Sequence, residues 1–376
     1  MDMKRMGASL MAGVLITGML AGCGGQAEEQ KEPETAASQI PAVEEPAPQL
    51  RDVTLKDGTV IRNLPQQVDR IAALFGPSYE KLVVLNAEDK IVLCSTSHKE
   101  KWPWSALVYD KVMSEDLPAV SNANNALNVE SLIDHDLDVV FYWKNEEVLK
   151  ALDNIGLVGI PYGSSSGIGA VKDDLRAYAE ILNTDEAMEI SQRYDEYFDE
   201  RVDHIKSVAD TIPDDQRKTV YLASRKILAS GMQQSMTELI EAAGGIPVEL
   251  NENHGMPGSA EIDAEQLMAW DPDVIFLDHA LNSVEALEAE LFDVPTFANL
   301  KAVQNKTAYP VPVGAFYWDS GVQKILMLQW MAKQMYPDHF ADFDMTAELQ
   351  NFYKEFFRCD LTREQADMIL ASQDPA

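Results

Sequence analysis

The feature that most constrains this chain is an alternation of short apolar runs with helical patterns, which occurs twice. In the first series the predicted strands are 70–74, 91–94, 138–143 and 157–160. In the second series they are 219–223, 273–277 and 307–311. Strands that alternate with helices form mostly parallel sheets covered by helices, because a parallel pair needs a crossover connection. The sequence therefore predicts two Rossmann-like α/β lobes.

A long helical stretch separates the two series. One predicted helix covers 171–182, and a second begins at Thr184 or Asp185 and runs to about Ile212, where Pro213 ends it. At 1.5 Å per residue the second helix is about 40 Å long, enough to run along a molecule of two lobes. We therefore expect the lobes, 51–170 and 214–376, to be joined by one long helical connection at 171–213.

The first residues carry an export signal. Lys4 and Arg5 precede a mostly apolar run, which ends in the sequence Leu-Ala-Gly followed by Cys23. This order is typical of a secretory signal peptide, and a Cys directly after the small residues is the lipoprotein variant. An uncleaved membrane helix is disfavoured, because a span needs about 20 apolar residues. Residues 1–22 are thus a predicted signal peptide, with Cys23 acylated at the outer face of a bacterial cell membrane.

The segment that follows, 23–50, is rich in Glu, Pro, Ala and Gln and contains no aromatic residue. Such a composition does not bury enough apolar surface to fold, so we expect a disordered acidic tether. The formal net charge of the whole chain is -32. That charge argues against a nucleic-acid partner, whose phosphates would be repelled.

Two cysteines remain beyond the anchor, Cys94 and Cys359. An oxidising compartment would permit a disulfide between them, but sequence alone does not decide whether they pair. Cys94 ends an apolar run and reads more simply as a buried thiol. The spacing of Cys and His predicts no metal site.

Two segments, 127–141 and 262–276, echo each other across the predicted lobes. Each contains a helix-capping residue, a Glu in the first helical turn, a short helix, a turn with Asp and an apolar strand. Asn128 and Asp263 are good N-cap types, and a carboxylate in the first turn is favoured by the helix dipole. Helix stability explains each Glu taken singly, so it is the repetition of Glu130 and Glu265 that calls for a functional explanation.

This layout resembles the helical-backbone class of ABC-importer substrate-binding proteins, which carry ferric siderophores, haem or cobalamin. The resemblance covers about 70–370 and includes the long connecting helix. It implies that Glu130 and Glu265 dock onto a dimeric permease. The first lobe departs from the family pattern, with Leu137-Asp138 where Pro-Asp is usual.

The resemblance implies an extracytoplasmic lipoprotein, expected to be a monomer, that is not an enzyme and carries no cofactor of its own. Its cargo would be a metal chelate, most readily a ferric siderophore, captured in a cleft between the lobes. Haem, a corrinoid and a molybdate-type oxyanion stay open as alternatives.

Ligands bind beyond the carboxyl ends of strands in open α/β sheets. Residues near those ends supply aromatic surface and charged donors, which suit a chelate with anionic groups. The candidate ligand contacts are Tyr79, His98, Trp102, Trp104, Trp143, Lys144, Arg225, His254 and Trp318. Core packing explains any single aromatic equally well, and the lone His residues lack the spacing of a metal site.

Two other functions are open at this point. Residues 163–167 match the G-x-S-x-G pattern of a hydrolase nucleophile, but a Ser-rich loop with two glycines matches it easily. A lipid-anchored serine hydrolase would explain neither the echoed segments nor the long helix. A sensor for a membrane kinase would keep the cleft but would not need Glu130 and Glu265.

Overall fold

The computed structural model describes residues 49–96, 104–109, 114, 116–121, 128–162, 167–232, 234–248, 260–278 and 283–375. An antiparallel hairpin comes first, formed by β1 (Leu50–Thr54) and β2 (Val60–Pro65). Its turn contains Gly58 with a positive φ of 84°, a conformation that favours glycine.

The N-terminal sheet is parallel throughout. Its strands are β3 (Ile71–Ala73), β4 (Ile91–Ser95), β5 (Ala119–Val120), β6 (Val139–Trp143) and β7 (Val158–Tyr162). Their order is β5-β4-β3-β6-β7. Successive residues of a strand face opposite sides, so Phe141 lies in the main core while Val140 and Tyr142 lie in a smaller apolar cluster.

The C-terminal sheet is mixed. Its strands are β8 (Thr219–Ser224), β9 (Lys226–Ser230), β10 (Ile246–Pro247), β11 (Ala260–Glu261), β12 (Val274–Asp278) and β13 (Ala308–Pro310). The order is β11-β9-β8-β12-β13, with β10 also paired to β8. The pairs β8–β9 and β9–β11 are antiparallel, whereas β8, β12, β13 and β10 run parallel.

Helices cover both sheets. Those of the first lobe are α1 (Gly76–Val84), α2 (Ser105–Val108) and α3 (Glu146–Asn154). The connection contains α4 (Ala170–Leu182) and α5 (Asp185–Ala209). The second lobe contains α6 (Gln234–Ala242), α7 (Ala264–Trp270), α8 (Ser283–Leu287), α9 (Lys301–Gln304), α10 (Lys324–Met335), α11 (Met345–Phe356) and α12 (Arg363–Leu370). Short 3₁₀ helices are Glu88–Lys90, Val129–His135, Asp214–Gln216 and Pro295–Phe297, and a π turn, Glu288–Phe292, extends α8.

The helical connection follows the expected layout with two differences. Asn183 interrupts it in the left-handed conformation, and the side chain of Thr184 then caps the N-terminus of α5. α5 ends at Ala209, before the predicted end at about Ile212, and a turn leads on to Pro213. With 25 residues, α5 is long for a globular helix and packs against α4, α6 and α10.

Most of the apolar core is continuous through both lobes, and the chain from Pro48 onward forms one compact unit. Two α/β lobes with mostly parallel sheets joined by one long helix are the predicted fold class, which is confirmed. Cys94 is buried, Cys359 is partly buried, and the two are not joined in a disulfide. Across the described ranges, no helix combines the length and the apolar character needed to cross a membrane.

Candidate functional site

The carboxyl ends of the parallel strands of the two sheets lie close together. Gly76 follows β3, and a methyl group in its place would lie 2.5 Å from the ring of Phe316, which follows β13. At the end of β7, the hydroxyl of Tyr162 donates a hydrogen bond of 2.6 Å to the carbonyl of Ser320. The loops beyond these strands therefore face one another, as expected for a ligand site in open α/β sheets.

An aromatic cluster occupies the edge of the first lobe. The ring centroid of Phe75 lies 4.8 Å from those of Trp143 and Tyr162, and Trp143 stacks on Tyr162 at 5.8 Å. Trp143 is 44% exposed although it is a large apolar residue. An exposed Trp held by two other rings offers a rigid flat surface with one N–H donor, which suits a ligand that stacks.

A buried cation lies beneath this cluster. The ammonium of Lys81 on α1 is 4.5 Å from the centroid of the Tyr162 ring and 3.8 Å from the carboxylate of Asp174. Burial lowers the pKa of Lys81, and the charges of Asp174 and Glu80 partly oppose that shift. The sequence does not mark Lys81 as a site residue, because a Lys in a short helix is more often exposed.

The edge of the second lobe is charged. Arg225 directly follows β8 with a φ of 70°, which is strained for a residue other than glycine, and its N–H donates to the carbonyl of Asp278 at 2.7 Å. Arg225 is exposed. Among the residues that the structure describes, its guanidinium group has neither a hydrogen-bond partner nor an ion-pair partner. Such a guanidinium is available to an anionic ligand.

Two further residues, Tyr317 and Lys324, lie near this charged edge. Burial raises the pKa of Tyr317 to about 12, and the nearby carboxylate of Asp278 adds to the shift. Burial also lowers the pKa of Lys324, which is 7% exposed at the start of α10. Asp319 and Asp278 oppose that change. Basic and acidic groups are thus interleaved at this edge of the second lobe.

Lys144 follows Trp143 at the edge of the first lobe and is exposed. Its ammonium forms an ion pair of 3.3 Å with Asp57 in the turn of the N-terminal hairpin. An exposed ion pair of this kind contributes less than about 1 kcal/mol to stability. Lys144 therefore stays a candidate ligand contact, since little free energy would be lost if it exchanged Asp57 for a ligand.

Three predicted ligand contacts lie inside the core instead, and their assignment is corrected. Trp104 is 2% exposed and donates to the carbonyl of Gln373 at 3.1 Å. Trp318 is fully buried and donates to the side-chain oxygen of Gln323 at 3.2 Å. Tyr79 is also buried, and its ring packs edge-on against that of Tyr109, with the ring centroids 5.3 Å apart. Core packing explains all three rings, which expose almost no surface.

Several predicted site residues lie outside the described residues, namely Cys23, His98, Trp102, His254 and most of the G-x-S-x-G match at 163–166. Their assignments stay predictions. Within the described ranges, no group of three or more His, Cys, Asp or Glu side chains is placed to hold a metal ion.

The two candidate docking glutamates occupy equivalent local positions. Glu130 lies in the first turn of the 3₁₀ helix before β6, and Glu265 lies in the first turn of α7 before β12. Both are exposed. Asn128 and Asp263 cap the two helices through their side chains, as predicted. The first helix is 3₁₀ rather than α, which the sequence did not predict.

Comparison with known proteins identifies relatives along most of the chain. The profile of the family described as periplasmic binding protein matches residues 71–312. The molybdate-binding protein MolA of Haemophilus influenzae is 23% identical over 324 residues, covering 81% of this chain and 90% of MolA. Its structure with bound molybdate superposes with a TM-score of 0.70 at 19% identity and covers 83% of this chain and 99% of the other.

Two other solved structures have the same fold. A periplasmic solute-binding protein from Veillonella parvula matches with a TM-score of 0.68 and 25% identity, covering 85% of this chain and 97% of the other. A protein of an ABC-type Fe³⁺-hydroxamate transport system from Saccharomonospora viridis matches with a TM-score of 0.58 and 15% identity. That match covers 76% of this chain and 98% of the other.

Proposed function

The chain belongs to the periplasmic binding protein family, the non-enzymatic solute-binding components of ABC importers, and we propose that its cargo is an anionic, metal-containing solute. Proteins of this family work outside the cytoplasm and deliver small ligands to a permease. The serine-hydrolase alternative is therefore dropped. The choice of cargo depends on the residues at the facing edges of the two lobes.

The observation that carries this proposal is the exposed guanidinium of Arg225 at the carboxyl end of β8. A guanidinium donates paired hydrogen bonds to carboxylate and oxyanion groups and keeps its charge at any physiological pH. The net charge of the chain is -32, so the protein as a whole repels anions. A free cation on the cleft edge therefore gives the site a local preference that the rest of the surface opposes.

The aromatic edge favours a chelate over a bare oxyanion. Trp143 and Tyr162 present flat surface, with the cation of Lys81 beneath Tyr162. A small oxyanion has little apolar area to place against such rings, whereas the organic part of a ferric siderophore has enough to stack on them. Similarity to the Fe³⁺-hydroxamate protein agrees with this choice. We therefore favour a ferric siderophore.

Molybdate is the second candidate, supported by the similarity to MolA in sequence and in fold. A compact oxyanion needs only a few convergent donors, and Arg225 would be one of them. Haem and a corrinoid, which are planar macrocycles, would use the aromatic edge in the same way as a siderophore. These alternatives differ in colour and metal content, so experiment separates them.

For delivery, we propose that Glu130 and Glu265 contact the permease. The two carboxylates are exposed, and each begins the helix that precedes a central strand of its sheet. Exposed carboxylates pair with basic groups of a partner and fix its orientation. A sensor for a membrane kinase would share the cleft but would not depend on this pair.

We also propose that Cys23 anchors the protein to the outer face of the bacterial cell membrane and that it acts as a monomer. The support is the signal sequence that ends directly before Cys23 and the acidic, Pro-rich segment that follows. A diacylated end gives stable attachment, which one acyl chain does not. The segment after it would let the binding domain stand away from the bilayer.

Cargo identity is tested by purifying the protein from its own host and recording its absorbance, metal content and native mass. The purified protein is then titrated with a ferric hydroxamate chelate, molybdate, sulfate, haem and cobalamin. We expect bound iron and saturable binding of the ferric chelate. Molybdenum with selective molybdate binding would favour the second candidate. Tight binding of neutral or cationic solutes only would contradict an anionic cargo.

A further inference from the structure

A buried carboxylate of the first lobe holds a loop of the second lobe. Glu80 lies on α1 and is fully buried. One of its oxygens accepts the backbone N–H of Val322 at 2.8 Å, and the other accepts the side-chain amide of Gln323 at 2.7 Å. Both donors belong to residues 311–323, between β13 and α10, which we call the cargo loop because it contains Phe316 and Tyr317.

The position of Glu80 requires a glycine in the cargo loop. A methyl group at Gly321 would overlap the carboxylate of Glu80 and displace it from Val322. The overlapping atoms would be the carboxyl end of a buried side chain, which is closely packed and cannot readily turn away. The close approach of α1 to this loop therefore depends on Glu80 in α1 and on Gly321 in the loop.

Further hydrogen bonds connect Gln323 to other residues of the cargo loop. The side-chain oxygen of Gln323 accepts hydrogen bonds from the hydroxyl of Tyr353 at 2.7 Å and from the indole of Trp318 at 3.2 Å. The Tyr353 oxygen in turn accepts the N–H of Ala315 at 2.8 Å. Because the amide of Gln323 donates at one end and accepts at the other, its orientation is fixed, and Glu80 is connected to the residue next to Phe316.

Two other hydrogen bonds between the loop and the rest of the protein use neutral groups. The hydroxyl of Tyr162 donates to the carbonyl of Ser320 at 2.6 Å, and that of Tyr194 on α5 donates to the carbonyl of Val322 at 2.7 Å. Hydrogen bonds to an ionised group are about twice as strong as neutral ones. Glu80 therefore provides the strongest of these attachments when its carboxylate is ionised.

We propose that Glu80 is a positioning residue for cargo binding, which holds the cargo loop of the second lobe against the first so that Phe316 and Tyr317 face Phe75 and Trp143. This inference rests on the proposed function only in placing the cargo between these residues. Glu80 touches no cargo itself, and it acts through Val322 and Gln323. The consequence is that cargo affinity depends on a residue buried beneath the site.

The test compares Glu80→Gln with the exchanged pair Glu80→Gln and Gln323→Glu in the full-length protein. The single variant places an amide N–H where an acceptor is needed. The exchanged pair has an acceptor for Val322, an N–H donor for residue 323 and an acceptor for Tyr353, so every hydrogen bond can form again. Gln323→Glu alone is the matched control, since it brings two carboxylates together and should resemble the single Glu80 variant.

Two quantities are measured: hydrogen exchange of the Ala315 and Val322 amides, and the dissociation constants for molybdate and for a ferric hydroxamate chelate. We expect Glu80→Gln to speed exchange and weaken binding by about tenfold each, the size of one lost hydrogen bond to a charged group. The exchanged pair should recover both. If Glu80→Gln does not fold, recovery in the exchanged pair still supports the proposal.

Unchanged exchange at these amides in Glu80→Gln would overturn the inference, as would a lowered melting temperature with unchanged affinity. Failure of the exchanged pair to recover loop protection would overturn it too. If the wild-type protein binds neither probe, the proposed cargo is wrong, while the exchange data still decide whether Glu80 holds the loop. The two failures are thereby distinguished.

Discussion

In the first lobe, the carboxylate of Asp138 accepts the N–H groups of Asp69 and Arg70, just before β3, at 2.7 and 2.9 Å. In the second lobe, Asp273 accepts the N–H and hydroxyl of Thr219, at the start of β8, at 2.9 and 3.0 Å. Each Asp joins a central strand to its parallel neighbour. The two lobes therefore share not only a strand order around these positions but also the side-chain hydrogen bonds that hold it.

The turns before these aspartates match as well. Asp136 and Asp271 are both left-handed, with φ of 48° and 41°. Each ends the short helix that starts with a candidate docking Glu. A conformation that non-glycine residues rarely adopt is thus used at the same place in both lobes. We conclude that the frame around the two proposed docking positions is duplicated.

The edges that face each other are not duplicated. The first lobe offers the rings of Phe75, Trp143 and Tyr162. The second offers the rings of Phe316 and Tyr317 near the exposed guanidinium of Arg225. The difference is that the second edge adds an exposed guanidinium, whereas the cation of Lys81 beneath the first edge is buried. Common frames with different edges fit a protein that docks symmetrically but binds an asymmetric cargo.

The largest expected effect concerns the duplicated docking positions. Glu130→Ala combined with Glu265→Ala should abolish cargo uptake in cells while leaving the dissociation constant for cargo unchanged, because both carboxylates are exposed at helix starts. Glu146→Ala with Glu285→Ala is the matched control, since these are exposed first-turn glutamates of α3 and α8. Loss of cargo affinity in the docking variant would show that the assignment is wrong.

The duplicated frame makes a prediction about stability. Asp138→Ala and Asp273→Ala should each lower the free energy of unfolding by about 2 kcal/mol, because each leaves two donors of a neighbouring strand without their acceptor. Urea denaturation measures both. Asp134→Ala, at an exposed position in the 3₁₀ helix before β6, is the control and should change the free energy of unfolding little. If only one of the two variants lost stability, the two aspartates would not be equivalent.

The different edges predict different binding defects. Arg225→Ala should weaken binding of an anionic chelate by about tenfold, as expected when a charged hydrogen bond is removed. Trp143→Ala should weaken binding of a chelate with an organic surface but should barely change binding of molybdate. Isothermal titration measures all of these. Lys226→Ala is the control for Arg225, because this neighbouring cation is already paired with Glu261 at 2.6 Å.

The smallest effect is a pH dependence of stability from the first lobe. Burial raises the pKa of Glu80 to about 7, although hydrogen bonds from Gln323 and Val322 and the charge of Lys81 lower it and Asp319 raises it further. Folding therefore favours the protonated form. Its stabilising contribution is present below 4.5, the ordinary pKa of a glutamate in the unfolded chain, and is lost as pH rises towards 7.

Denaturation midpoints recorded from pH 4.5 to 7.5 check this prediction. The wild type should lose more stability over this range than Glu80→Gln, whose side chain does not titrate. Equal slopes for the two proteins would show that Glu80 titrates near its ordinary value despite its burial.

Sequence patterns predicted the central strands of both sheets well because a buried parallel strand is a short apolar run between turns. β6 and β12 lie within one residue of their predicted bounds. β9 and β11 were missed, since an antiparallel strand of five residues and one of two carry little pattern. The strand order in each sheet also depends on contacts that no local pattern encodes.

The site was predicted less well than the fold. Trp104, Trp143 and Trp318 all lie near cleft-side loops in sequence, yet only Trp143 is substantially exposed. Burial of the other two follows from packing by distant segments, such as the contact of Trp104 with Gln373. For the same reason Glu80 and Lys81 were not recognised, because their partners are distant in sequence. Glu80 accepts from Val322 and Gln323, and Lys81 lies close to Asp174.

The most direct test of the account is a titration of the wild-type protein, followed by tryptophan fluorescence, with ferric chelates of similar size and opposite net charge. The account predicts saturable binding of the anionic chelate, weakened by Arg225→Ala, and much weaker binding of the cationic one. Equal or tighter binding of the cationic chelate would contradict the claim that this cleft selects an anionic, metal-containing solute.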